Sequence, residues 1–229
     1  MKVVVLTGAG ISSESGVPTF RGKGGLWKNF KPEELATPEA FRRNPSLVWE
    51  WYLWRRSIIA KAEPNDGHKI LVNLEERLGD NFFLITQNVD GLHQKAGSKR
   101  MVELHGNIWR VKCLKCSSTY YDYQTHYEKL PPACKECGGL IRPHVVWFGE
   151  SLPEDALKRA IKESRSCHIF VSVGTSGLVY PAASLPFLAK ASGAKVIEIN
   201  PEPTPISSIA HVIIREPASL GLKKLLEIL

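Results

Sequence analysis

The stretch GAGISSESGVPTFRG, residues 8–22, limits the possible folds more than any other part of this chain. It follows the apolar run Val3–Leu6 and begins like the glycine turn of a dinucleotide-binding fold. In that fold G-x-G-x-x-G opens a long helix against a buried strand. Here Gly8 and Gly10 fit, Ser13 stands where the third glycine belongs, and Gly16 and Pro18 break any helix within two turns. A strand leading into such a turn predicts an α/β nucleotide-binding layer. A phosphate turn with almost no helix behind it predicts something other than a standard dehydrogenase.

Further β-rich apolar runs lie at Phe82–Thr86, His168–Val173, Lys195–Ile199 and Val212–Ile214. Helical patterns lie at Glu154–Arg165, Ala182–Ser192 and Leu220–Leu229. Strands alternating with helices predict a parallel sheet covered on both faces. Two segments break the rhythm. Residues 23–80 read as mostly helical, with Asn44-Pro45 as a cap and first-turn pair. Residues 110–142 are rich in cysteine, proline and tyrosine. The expected class is therefore α/β: a Rossmann-like parallel sheet (1–22, 81–109 and 143–229) with a smaller inserted domain. That insert combines a cofactor-loop and helical module (23–80) with a zinc ribbon (110–142).

The zinc expectation rests on C-x₂-C-x₁₇-C-x₂-C, formed by Cys113, Cys116, Cys134 and Cys137. Each C-x₂-C sets two thiolates on one turn, and two such knuckles complete a tetrahedron. Four cysteines leave no open position, so a single structural zinc is expected. The fifth cysteine, Cys167, begins an apolar strand and reads as a buried core thiol. Cysteines in a chain with no signal-peptide pattern and no apolar run of membrane length predict a cytoplasmic protein. The net charge of +7 is dispersed, without a basic tract. A zinc-ribbon nucleic-acid-binding module is a second class of reading, but it leaves the glycine turn without a purpose.

The second strand ends in TQNVDGLHQKAG, residues 86–97. Gln87, Asn88, Asp90 and His93 follow that end, where open α/β sheets bind ligands. VELHGNI (102–108) carries His105, and GTS (174–176) and IEIN (197–200) close two other strands. Together with RPHVVWFGE (142–150) and both cysteine pairs, these motifs resemble the sirtuins, NAD-dependent protein deacylases, in order and over nearly the whole chain. Many sirtuins carry a helix before the first strand; here the strand itself opens the sequence.

The resemblance implies that NAD is consumed as a co-substrate, its nicotinamide–ribose bond being broken rather than a hydride being carried. The segment from Gly16 to Trp27 would be a loop folding over NAD, which a long helix would prevent. The cofactor surface implied is Gly8, Ala9, Gly10 and Ile11 in the turn, and Pro18, Thr19, Phe20, Arg21 and Trp27 in the loop. Gln87, Asn88, Val89 and Asp90 would follow the second strand. Gly174, Thr175, Ser176, Asn200, Pro201, Glu202 and Ala218 would lie on the adenosine side. Asn88 and Asp90 would position the carboxamide and a water. His105 would accept a ribose hydroxyl proton, work suited to an imidazole near neutral pH. Products would be free lysine, nicotinamide and O-acyl-ADP-ribose.

Acyl-lysine proteins or peptides would add as a strand between Trp147–Glu150 and Gly177–Val179. Val146, Phe148, Gly149, Glu150, Gly177 and Leu178 would contact them. Chromatin or other DNA-associated proteins are among the candidate substrates, with no requirement for nucleic acid itself and none for a membrane. A mono-ADP-ribosyltransferase is the alternative enzymatic reading, since an activated ribose can react with another nucleophile.

PSLVWEWYLWRRSII, residues 45–59, is a helix by pattern. Leu47, Trp51, Trp54 and Ile58 make one apolar stripe; Val48, Tyr52, Arg55 and Ile59 make the next. Tyr52 and Arg55, three apart, share a face, while Arg56 reads as the solvated arginine. ATPEAF (36–41) followed by NPSLVWEWYLWRR (44–56) resembles the class III sirtuins, whose Tyr-x-x-Arg pair reads an acidic acyl group such as succinyl or malonyl; Tyr52 and Arg55 match it by position.

Overall fold

The structure is a computed structural model and describes residues 1–21 and 25–228; of Trp27 it describes the backbone only. The strands are β1 Val3–Thr7, β2 Phe82–Thr86, β3 Met101–Glu103, β4 Gly106–Cys113, β5 Thr119–Tyr121, β6 Ile141–Val145, β7 Ile169–Val173, β8 Lys195–Ile199 and β9 Val212–Ile214. The helices are α1 Gly10–Ser13, α2 Pro32–Leu35, α3 Pro38–Arg43, α4 Pro45–Ile59, α5 Asp66–Leu78, α6 Leu92–Ala96, α7 Glu154–Ser166, α8 Leu185–Ala191 and α9 Ala218–Leu226.

Six strands form one sheet in the order β3-β2-β1-β7-β8-β9, and every pair is parallel. This is the Rossmann order, in which the chain direction across the sheet reverses between β1 and β7. All five residues of β1 are buried, as a strand covered on both faces requires. Val3 and Val5 pack on one side with Leu71, Leu74 and Leu222. Val4 and Leu6 pack on the other with Phe83, Ala160 and Leu185. The expected parallel sheet is present, joined by the short β3, which sequence pattern did not single out.

The glycine turn behaves as its sequence requires. α1 ends after Ser13, whose hydroxyl donates to the Gly10 carbonyl at 2.7 Å, and Gly16 follows with φ of +81°.

The second layer is a three-stranded antiparallel sheet, β5-β4-β6. Its core combines Ile108, Val111 and Ile141 with Val48, Trp49 and Tyr52 of α4. α4 starts as expected: the Asn44 side chain accepts from the Leu47 amide at 3.1 Å, and Pro45 occupies the first turn. The helix α5 departs from the expected 23–80 insert. Its Ile70, Leu71 and Leu74 pack against β1, β2 and α9 in the core of the large sheet, so the helical module that joins the small sheet ends with α4. Cys167 is buried, and its thiol donates to the Ser164 carbonyl at 3.1 Å. Among the described residues no helix is long and apolar enough to cross a membrane.

Candidate active site

The carboxyl ends of β1 and β7 meet where the chain direction reverses, and their backbones interlock. Gly8 donates to the Val173 carbonyl at 3.0 Å and Gly10 to the Gly174 carbonyl at 2.8 Å. A Cβ on Gly8 would lie 2.7 Å from the Gly174 oxygen, and one on Gly10 would lie 2.7 Å from the Gly174 Cα. Gly174 itself has φ of +59°, a conformation disfavoured for residues with a Cβ. The glycines are therefore required by backbone-to-backbone packing before any ligand is considered. Above this interlock opens a cleft of about 790 Å³, within the range of small-molecule sites.

Gln87 and Asn88 enter the cleft from the end of β2. Gln87 Nε2 donates to Thr175 Oγ1 at 2.9 Å, and Asn88 Nδ2 donates to the Gly8 carbonyl at 3.1 Å. His105 sits between β3 and β4, with its main-chain oxygen accepting from the Val146 amide at 2.9 Å. Its Nδ1 lies 3.0 Å from the Gln87 carbonyl. A carbonyl can only accept, so Nδ1 carries the proton and Nε2 keeps a free lone pair. Burial pushes the His105 pKa below its ordinary value, partly opposed by the Gln87 hydrogen bond. The ring is thus a neutral base at physiological pH.

At the other end of the cleft α4 presents Tyr52 and Arg55, both buried. Tyr52 Oη accepts from Trp147 Nε1 at 2.9 Å, which leaves its own proton available to a ligand. Burial raises its pKa, so that proton stays on. The Arg55 guanidinium lies 4.6 Å from the Phe20 ring centroid and 5.1 Å from that of Trp51. Rings cover its faces, while its planar donors make no hydrogen bond among the described residues.

Arg56 corrects the sequence expectation. It is 0% exposed, with Nε donating to the Ile108 carbonyl and Nη1 to Asp122 and the Gln124 carbonyl, each at 2.9 Å. Its partners come from distant parts of the chain, which the helix pattern could not reveal. The stripe reading changes with it: Leu47 and Trp54 are exposed, and the Val48–Tyr52–Arg55–Ile59 row is the buried one.

The four cysteines of the ribbon converge, all their Sγ atoms lying within 4.8 Å of one another. Cys113 and Cys137 are 3.5 Å apart and Cys116 and Cys134 are 3.9 Å apart, sulfur to sulfur. A tetrahedral zinc with bonds of about 2.3 Å needs thiolates roughly 3.8 Å apart. Amides of Lys115, Cys116, Glu136 and Gly139 point at Sγ atoms, as thiolates require. A Cβ on Gly139 would lie 3.2 Å from both Cys113 and Cys137 Sγ. The residues fit one structural zinc with no open coordination position. Because such metal binding is coupled to folding, Cys134→Ser is expected to lower bound zinc and the melting temperature together. Metal analysis of the pure protein decides this; well-folded, active protein without zinc refutes it.

Comparison with known proteins matches the Sir2 family to residues 8–181, which include the glycine turn, His105 and all four ribbon cysteines. The chain belongs to the Sir2 family. It is 65% identical to the NAD-dependent protein deacylase of Aquifex aeolicus over all of this chain and 95% of that one. It is 50% identical to that of Mycobacterium tuberculosis over 99% and 97%. A mutant Sir2 homologue in complex with ADP-ribose superposes with a TM-score of 0.94 at 45% identity, covering 99% of this chain and 91% of the other. A complex of Sir2 with a p53 peptide and NAD⁺ gives 0.86 at 35%, covering 99% and 92%.

In this Sir2 chain most residues expected at the site line the one cleft. They are Gly8, Ala9, Gly10, Thr19, Phe20, Arg21, Tyr52, Arg55, Gln87, Asn88, Val89, His105, Val146, Phe148, Gly149, Glu150, Gly174, Thr175, Ser176, Leu178, Asn200, Pro201, Glu202 and Ala218. Others are set apart. Ile11 is wholly buried in the sheet core, Pro18 lines a separate small pocket with Val17 and Leu26, and Gly177 is buried between half-buried Ser176 and exposed Leu178. The Trp27 side chain lies outside the described residues. Asp90 is buried below the cleft, one carboxylate oxygen accepting from the Leu92 amide at 2.9 Å. It does for α6 what a capping residue does. His93 is 1% exposed and pairs through Nε2 with Thr7 Oγ1 at 2.9 Å, so it braces β1 from below and is not part of the binding surface.

Sequence reasoning missed Ser13, Glu14, Ala36, Trp51 and Tyr180 as cleft walls. Ala36 has a signal of a kind: it opens the ATPEAF segment, and its carbonyl accepts from the Phe148 amide at 2.9 Å.

Proposed function

We propose that this Sir2-family chain is an NAD-dependent protein-lysine deacylase that removes acetyl groups and acidic acyl groups of the succinyl or malonyl type. The observation that carries the reading is His105. Its Nε2 lone pair faces the same cleft as the glycine interlock of β1 and β7, and its proton is parked on the Gln87 side. The interlock at the strand ends suits the pyrophosphate of NAD, and Asn200, Ser176 and Ala218 suit its adenosine end. Bound NAD supplies an electrophilic ribose carbon with nicotinamide as a neutral leaving group.

The residues of the chain do the rest. Gln87 and Asn88 hold the nicotinamide-ribose end, and Phe20 excludes water from above. His105 takes a proton from a ribose hydroxyl, so that this oxygen becomes a nucleophile. An acyl-lysine backbone lies along the exposed segments at Phe148–Gly149 and Leu178, and its acyl end points toward Tyr52 and Arg55. A weak acyl-oxygen nucleophile gains most from such positioning. Support for the acidic acyl group is the Arg55 guanidinium, buried in the cleft wall with ring contacts but no hydrogen bond among the described residues.

Acyl-lysine proteins of the cytoplasm, DNA-associated ones among them, are the proposed substrates. The test is incubation of acetyl- and succinyl-lysine peptides with and without NAD, read by mass. Loss of acyl mass only with NAD is expected on both peptides. Gain of ADP-ribose mass on protein without loss of acyl would replace this reading with the transferase one.

A further inference from the structure

The two neighbouring arginines of α4 have opposite surroundings. Arg55 faces the cleft and makes ring contacts but no hydrogen bond among the described residues. Arg56 is sealed into the small sheet. Its guanidinium reaches the Ile108 carbonyl of β4, and Asp122 and the Gln124 carbonyl in the loop after β5. The rings of Trp49 and Trp109 lie 5.4 and 5.6 Å from it. Asp122 is in turn held by the Tyr127 hydroxyl. A second polar tie joins the same helix to the same sheet, Trp49 Nε1 donating to the Ile141 carbonyl at 2.9 Å.

A buried arginine paired with a half-buried carboxylate does little for net stability, because desolvation offsets most of the attraction. Their best-attested use is to fix one register among several that apolar packing alone would permit. Apolar contacts between α4 and the sheet would tolerate small rotations of the helix; a three-acceptor socket for a planar fork would not.

We propose that Arg56 is a positioning residue for acyl-group selection: its socket in the small sheet sets the rotation of α4 and so places Tyr52 and Arg55. This rests on the reading of Tyr52 and Arg55 given above. Arg56 and Arg55 are consecutive, so a turn that moves one moves the other. A guanidinium roughly 8 Å from the helix axis swings by about 3 Å when the helix turns by about 20°. A misplacement of about 1 Å can cost ~10²-fold where geometry is demanding. A charged acyl group read by a two-pronged hydrogen bond has that demand, whereas an acetyl group, with no carboxylate to meet Arg55, does not. The zinc ribbon thereby has a part in choosing the acyl group, because Asp122 and Gln124 lie between its two cysteine pairs.

The test compares kcat and KM for matched succinyl- and acetyl-lysine peptides in the wild type, Arg56→Lys and Asp122→Asn, with melting temperatures recorded. Arg56→Lys keeps the charge but cannot reach all three acceptors; Asp122→Asn keeps a polar side chain of the same size and removes the anion. The expected result in both is a fall of about tenfold or more in the succinyl-to-acetyl ratio of kcat/KM. It should be expressed mainly in the succinyl KM, with acetyl values within about twofold of wild type. If Arg56→Lys does not fold, Asp122→Asn decides alone. A lowered melting temperature with an unchanged ratio, or equal losses on both peptides, overturns the proposal and makes Arg56 purely structural. A wild type that removes acetyl but not succinyl overturns instead the acidic-acyl reading on which it stands.

Discussion

His105→Ala is expected to lower kcat/KM for deacylation by about 10²–10⁴, the usual cost of losing a general base. The fold should survive. Among the described residues the ring makes one hydrogen bond, to the Gln87 carbonyl, and losing a bond of that kind costs on the order of 1 kcal/mol, a few degrees in Tm for a chain of this size. The pH profile separates a catalytic role from a packing role. Burial lowers the His105 pKa, and the neutral ring is the working form. Wild-type kcat/KM should therefore be level through neutral pH and fall as the pH drops through this depressed pKa, below the ordinary 6.5. The residual activity of His105→Ala should lack that acid limb. Retention of more than about half the wild-type rate would remove His105 from the chemistry.

The second large effect concerns Arg55. Arg55→Met should reduce desuccinylation by roughly 10–10³-fold in kcat/KM while leaving deacetylation nearly unchanged. A succinyl carboxylate at the Tyr52 end of the cleft would meet the Arg55 fork, with the Tyr52 hydroxyl, whose oxygen already accepts from Trp147, adding a donor. Hydrogen bonds to charged groups contribute roughly 1.5–3 kcal/mol, and a buried anion stripped of its partner costs about 2–5 kcal/mol. At ~1.4 kcal/mol per tenfold these give the stated range. Methionine keeps an unbranched apolar stem while removing the charged group that lies over Phe20 and Trp51. The measurement is kcat/KM on paired acetyl and succinyl peptides. Equal loss on both would make Arg55 a structural residue, and no loss on either would leave the acyl group unread by it.

What could be read from the sequence was what local chemistry dictates. The glycine turn was legible because close backbone approach admits no Cβ at Gly8 or Gly10. The cysteine pairs were legible because tetrahedral ligation fixes their spacing. Four of the six strands of the large sheet were legible because strands buried on both faces read as apolar runs, and the edge strand β9 was legible as Val212–Ile214 although Ile213 is exposed. The short β3 and the mixed strands β4 to β6 carry no such run. Arg56 was misread for a different reason. Its place in the helix pattern was polar, but its partners Ile108, Asp122 and Gln124 come from another part of the chain, and periodicity contains nothing about them. His93 was assigned to the binding surface because polar residues after a strand end usually are; here it braces β1 from beneath, whereas Asp90 holds the Leu92 amide and lies within the electrostatic reach of Arg55 in the cleft wall.

The central position of β1 has a bearing on how the protein is made. Val3 pairs with Phe82 on one side and with Ile169 on the other, and the Gly8–Gly174 interlock joins the turn after β1 to the end of β7. On the ribosome the first strand therefore waits with one edge open until most of the polypeptide has emerged. A topology so dominated by contacts distant in sequence folds slowly, and an unpaired edge carrying the four apolar residues Val3–Leu6 is a template for unwanted pairing. The half-made chain, lacking its catalytic floor, is the form of this protein most in need of a chaperone.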